Sequence, residues 1–146
     1  MSPIPIVICG RHPNIGKAAR EGIKPEYDVI HINLSVEEAT SSIPLLLSSK
    51  SPPNSSSNIG SQNYGERPAA IALGGGFNDE MFTEIKGSCG EENMVWVRAD
   101  TTKTAEMPDI NDQEAYGKAM GVRLKKCLDE LKVGKEGGTT EGVWFF

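Results

Sequence analysis

Short apolar runs alternate with stretches of helical periodicity along this chain, and that alternation constrains its architecture more tightly than any single motif. Ile4 to Cys9 is continuously apolar, as a strand buried on both faces requires. Ile15, Ala18, Ala19 and Ile23 then keep helical spacing, with Gly22 and Pro25 as stop signals. Tyr27 to Leu34 reads as a second strand. Ser35 and Glu38 form a capping box, and Val36, Ala39, Ile43 and Leu46 make the apolar stripe of a second helix, which Pro44 should kink or end. Ala69 to Leu73 is a third strand. Asn78 is the N-cap of a third helix, with Asp79 and Glu80 in its first turn and Phe77 and Phe82 at the staple positions. Met94 to Val97 is a fourth strand. Asn111 and Glu114 are a capping pair for a long fourth helix, whose face carries Tyr116, Met120, Leu124 and Leu128. Gly142 to Phe146 closes the pattern as a fifth strand.

Strict alternation of strand and helix predicts an α/β chain with a parallel sheet. Right-handed crossovers leave few layouts for five strands and four helices. The simplest is a three-layer, flavodoxin-like or Rossmann-like order of 2-1-3-4-5, with 3-2-1-4-5 as the competitor. In open sheets of this kind ligands sit beyond the carboxyl ends of the strands. The first layout would therefore bring the turn Gly10–Gly16 beside Gly74–Gly76.

One stretch breaks the alternation. Residues 48–68 hold seven Ser, three Pro and three Asn, with little to bury, and predict a flexible insertion in a single domain spanning 1–146. A lid is the alternative, and Tyr64 and Arg67 are its only evident anchors. Charge narrows the partners. Fifteen basic against twenty acidic residues leave a net charge of −5, without the basic cluster that a nucleic-acid backbone needs. No apolar run approaches the ~18 residues of a membrane span. Three scattered cysteines with no CxxC spacing, and an opening that reads as a strand rather than a signal peptide, suit a reducing compartment. Cytoplasm is the expectation, with the nucleus equally compatible.

The turn after the first strand runs Cys9-Gly10-Arg11-His12-Pro13-Asn14-Ile15-Gly16. Glycine at its start allows a sharp turn, and glycine inside the first helical turn lets an anion approach backbone N–H groups. The turn resembles the G-x-x-x-G-I-G fingerprint of short-chain dehydrogenases/reductases, with Asn14 in place of the middle glycine. That resemblance implies NADP, with Arg11 meeting the 2′-phosphate and Gly10, Asn14, Ile15 and Gly16 holding the phosphates. The chain lacks the family's Tyr-x-x-x-Lys pair, and the second strand ends without an acid for a ribose hydroxyl.

The triple glycine Gly74-Gly75-Gly76 after the third strand is a second anion-nest candidate. With Asn78, Asp79 and Glu80 behind it, the segment resembles the glycine-rich loops of nucleotide-processing hydrolases, which would make Glu80 a reacting group. A third loop, Arg98 to Lys103, brings hydroxyls and cations to the same edge. His12, His31 and Cys9 are the remaining titratable candidates. The terminal Val-Trp-Phe-Phe is an aggregation-prone edge unless covered, which a homodimer would achieve. As a whole the chain resembles a group of small fungal Rossmann-like proteins, through I-C-G-x-x-P-x-I-G, the serine-rich insert, G-G-G-F, A-Y-G-K-A and G-V-W-aromatic. That resemblance brings no activity with it. Two readings follow from different classes: a nucleotide- or dinucleotide-binding protein, NADP first, or a non-enzymatic interaction module on an α/β scaffold. A small nucleotide hydrolase using the Gly74–Gly76 loop is a third.

Overall fold

The computed structural model describes residues 3–53, 57–90, 93–102 and 107–146. Its elements are β1 (Ile4–Cys9), α1 (Pro13–Gly22), β2 (Tyr27–Asn33), α2 (Val36–Leu47), β3 (Ala70–Leu73), α3 (Asp79–Ser88), β4 (Val95–Arg98), α4 (Gln113–Leu131) and β5 (Gly142–Phe145). The strands pair in parallel in the order β2-β1-β3-β4-β5. The fold is thus α/β, flavodoxin-like, with a five-stranded parallel sheet and four helices, and the 3-2-1-4-5 layout is excluded.

Successive strand residues point to opposite faces, so each apolar run feeds two cores. Ile6, Ile8, Ala70, Ala72, Val95 and Val97 face α1 and α4. Val7, Cys9, Ile71, Leu73 and Trp96 face α2 and α3. This division exposes a departure from the expected handedness. The β1–β2 crossover runs outward in one direction with α1 on its face; β4–β5 runs in the opposite direction with α4 on that same face. The first three crossovers share the right-handed sense of parallel sheets, and the last has the opposite hand, a rarity among such units. Apolar demand gives the reason: α1 alone cannot cover Ala70, Ala72, Val95 and Val97, and α4 does so with Met120, Leu124 and Leu128.

The two helices sharing that face touch backbone to backbone. A Cβ on Gly117 would fall 2.5 Å from the Ile15 carbonyl oxygen and 2.6 Å from Ala18 Cβ. One on Gly121 would lie 3.0 Å from the Ala19 oxygen.

Local signals are largely met. Ser35 Oγ accepts from the Glu38 N–H at 3.1 Å, while the Glu38 carboxylate reaches the Leu34 N–H at 2.7 Å, one residue before the cap. Asn78 Oδ1 accepts from the Met81 N–H at 2.9 Å. At α4 the cap is Asp112 and not Asn111: its carboxylate accepts from Ala115 N–H at 3.2 Å, while Asn111 N–H is held by Asp109 in the turn before. Pro44 does not end α2, which continues to Leu47 because Leu46 and Leu47 are both buried under the sheet.

Residues 57–67 lie against the free edge of β2. Asn58 clamps Ile32 with its side-chain amide, Oδ1 accepting from the Ile32 N–H at 2.9 Å and Nδ2 donating to the Ile32 carbonyl at 2.8 Å. The N–H groups of Ser61 and Gln62 donate to the carbonyls of Val29 and Ile30. Arg20 holds the Ile59 carbonyl, and Arg67 donates to those of Leu47 and Asn93. Residues 54–56 of the serine-rich stretch lie outside the described residues. Among those described, no helix is long and apolar enough to cross a membrane.

Candidate functional site

The two glycine turns meet. At the carboxyl ends of β1 and β3 they border a cavity of about 300 Å³, which Gly10, Arg11, Ile15 and Gly16 line from one side and Gly74, Gly75 and Gly76 from the other. The sheet order causes the meeting, since β1 and β3 are neighbours and Gly74 N–H donates to the Cys9 carbonyl at 2.9 Å. Arg11 lies along the second turn: a Cβ on Gly76 would come 2.9 Å from its Cδ. Glycine is thus what lets the arginine cross that turn. Asn14 stands apart, exposed on α1 and outside the cavity lining.

The start of α1 differs from the other helix starts. His12 occupies the N-cap without a side-chain hydrogen bond, Pro13 supplies no N–H, and no acidic residue sits in the first turn. The other three helices carry side-chain caps and one or two carboxylates there. Uncapped N–H groups at the positive end of a helix dipole favour an anion. Charge around the cavity agrees. In a chain of net charge −5, no Asp or Glu among the described residues lines it, whereas Arg11 and His12 do.

The third loop contributes less. Of its described residues only Thr101 reaches the cavity, with its Cγ2 3.4 Å from where a Gly75 Cβ would lie. Arg98 is turned to the other sheet face, bound to Asp79 at 2.8 Å and stacked over Phe82 at 4.6 Å. Thr102 is engaged by the Asp100 carboxylate, and Lys103 lies outside the described residues. Glu80 is exposed and does not line the cavity.

Two of the three titratable candidates are structural. Cys9 is fully buried, and burial pushes its thiol up to about 12. Its partner Asn33 donates to the sulfur at 3.8 Å and accepts from the Ser42 hydroxyl at 2.7 Å, so the end of β2 offers no spare group to a ribose. His31 faces the segment along β2, with Nδ1 2.7 Å from the Tyr64 hydroxyl, and burial holds it below the usual imidazole range. His12 remains at the cavity mouth, exposed.

The deeper walls come from residues whose sequence signal was simply a core face. Tyr116, Met120 and Leu124 of α4 are such residues; Phe146 and Ile110, the latter 48% exposed ahead of α4, complete the lining. The helical spacing of the α4 residues is the same whether the helix covers a sheet or a ligand. Only the position of α4 on the α1 face reveals the second use. Among the described residues no group of three or more His, Cys, Asp or Glu side chains is placed to hold a metal.

No protein-family model matches the chain, and no solved structure matches it. A protein of Aspergillus oryzae (strain ATCC 42149 / RIB 40), Kojic acid related protein 6, is 37% identical over 131 residues, which is 88% of this chain and 77% of its own length. The expected likeness to fungal proteins is met by this relative. Agreement of that extent across both chains shows common descent: the protein belongs to the same family as Kojic acid related protein 6.

Proposed function

We propose that the protein binds a small anionic ligand at the carboxyl edge of its sheet, with nucleotide-type ligands as the class that the sequence brings forward first. One observation carries the reading: an uncapped helix start and a triple-glycine turn converge on a cavity that no Asp or Glu side chain among the described residues lines. The phosphate would rest on the N–H groups after Gly10, with Arg11 supplying the counter-charge.

NADP is the first ligand to test. A phosphate with a ring beneath it fits the residues present. The adenosine half fits less well, because Asn33 is engaged by Ser42 and Cys9 and Arg11 lies along Gly76 rather than toward β2. Thermal-shift measurements with NADPH, NADH, FMN, AMP and ATP at millimolar concentration test the reading. At least one phosphate-bearing compound should raise the melting temperature, as binding to the native state alone requires. Gly10→Val should weaken that shift while leaving the fold intact, since a Cβ there meets only Ile8 Cγ2 at 4.0 Å. Stabilisation by none of the five would rule the reading out.

A second reading rests on a separate observation. Val143 and Phe145 are 39% and 58% exposed on the sheet face opposite α4, at the end of the sheet order. A homodimer joined through β5 would cover them. Sedimentation should then give twice the chain mass of 15.7 kDa, and Phe145→Lys should return it to the monomer; a wild-type monomer at high concentration would dismiss the dimer.

A further inference from the structure

Beneath the glycine turns the cavity is walled by Ile8, Ala19, Ala72, Met120, Leu124 and Phe146. Among the described residues that line it, Thr101 and Tyr116 bring the only side-chain hydroxyls, and no side-chain amide or carboxylate joins them. We infer that this cavity takes a single aromatic ring bearing a phosphate or carboxylate, a smaller and less polar ligand than a nucleotide; the inference rests on reading the α1 turn as the anion end.

Three observations point that way. The first is size. About 300 Å³ stands at the small end of ligand sites, room for one ring and its linker rather than a base, a ribose and a pyrophosphate. The second is hydrogen bonding. A nucleobase lodged among these walls would find the Thr101 and Tyr116 hydroxyls at most for its ring nitrogens and exocyclic groups, and burial penalises those left unpaired. A ring with no polar edge suffers no such penalty. The third is the walls themselves. Phe146, Tyr116 and the Met120 thioether are groups that pack favourably on aromatic faces and edges. Above them Arg11 and the α1 N-terminus are placed for the charge, so ring and anion are received at opposite ends of one cavity.

The test uses the full chain and five probes: phenyl phosphate, benzoate, AMP, benzyl alcohol and inorganic phosphate, by calorimetry and by nuclear Overhauser contacts. Phenyl phosphate or benzoate should bind at least about ten-fold tighter than AMP or inorganic phosphate, and the two arms separate phosphate from carboxylate. Its ring protons should contact the methyl groups of Ala19 and Ala72 in the wild-type protein, a readout that needs no variant. Ala72→Leu should remove the advantage of the ring over inorganic phosphate. AMP binding as tightly as both aryl anions would overturn the ring class yet leave the anion turn standing. Benzyl alcohol matching both aryl anions, or no anionic probe binding, would overturn the anion turn and the inference with it.

Discussion

His31 and Asn58 show how single side chains hold the segment along β2. His31 is 5% exposed, and burial lowers its pKa, so the folded state prefers the neutral ring. The unfolded chain takes the proton first, at the ordinary value of about 6.5. The stability due to neutral His31 is thus complete above that pH and is lost as pH falls below it toward the lowered folded value. Tyr64, Asn58, Asn33 and the Glu38 carboxylate surround the ring, and Glu38 opposes the shift without reversing it. Urea midpoints between pH 7.5 and 5 should fall for the wild type and fall less for His31→Gln; parallel curves would show that His31 is not the group responsible. Asn58→Ala deletes four hydrogen bonds, to both backbone groups of Ile32, to the Gly60 N–H and, at 3.4 Å, to His31 Nε2. It should cost about 1–3 kcal/mol, the penalty of leaving such groups unpaired, read as a lower urea midpoint. Gly60 has no latitude either, since a Cβ would lie 2.6 Å from the Ile30 carbonyl. Cys9, with its thiol raised to about 12, should stay unlabelled by a thiol reagent in the native state. Cys89 and Cys127, which are less buried, should label first.

At the level of elements, the contact between α1 and α4 is the most demanding. Gly117→Ala would drive a methyl group into the Ile15 carbonyl and Ala18. Overpacking of this kind costs about 1–3 kcal/mol, and calorimetry should show it as a lower melting temperature, with loss of any ligand-induced shift as the cavity walls part. An unchanged melting temperature would mean that the helices separate freely. Asn78→Ala, by contrast, should cost only about 1 kcal/mol, as an exposed cap does. These elements were legible because their signals are local: continuous apolar strands, Asn78 before two acids, Ser35 before Glu38. The hand of the last crossover was not, because the stripe Met120, Leu124 and Leu128 looks the same whichever sheet face it covers. The segment along β2 showed only its anchors, Tyr64 and Arg67. The amide of Asn58 pairing with a strand edge has no periodicity to betray it. For the site, both glycine turns could be read from sequence, since turns need glycine for steric reasons; the walls from α4 could not.

For the whole molecule, the reversed last crossover has two effects. It places α4 over the middle strands, which closes the cavity, and it leaves the opposite face of β5 bare, with Val143 and Phe145 exposed. The same choice that makes a pocket thus makes an apolar edge. The cavity also joins parts far apart along the chain: Ile8 in the first strand, Ala72 at the middle and Phe146 at the far end. The walls from α4 and Phe146 are missing until the chain has passed its last crossover, and loop closure over such spans comes late and slowly in folding. A bound ligand would therefore act as a clasp on the finished molecule. It would slow unfolding far more than it speeds folding.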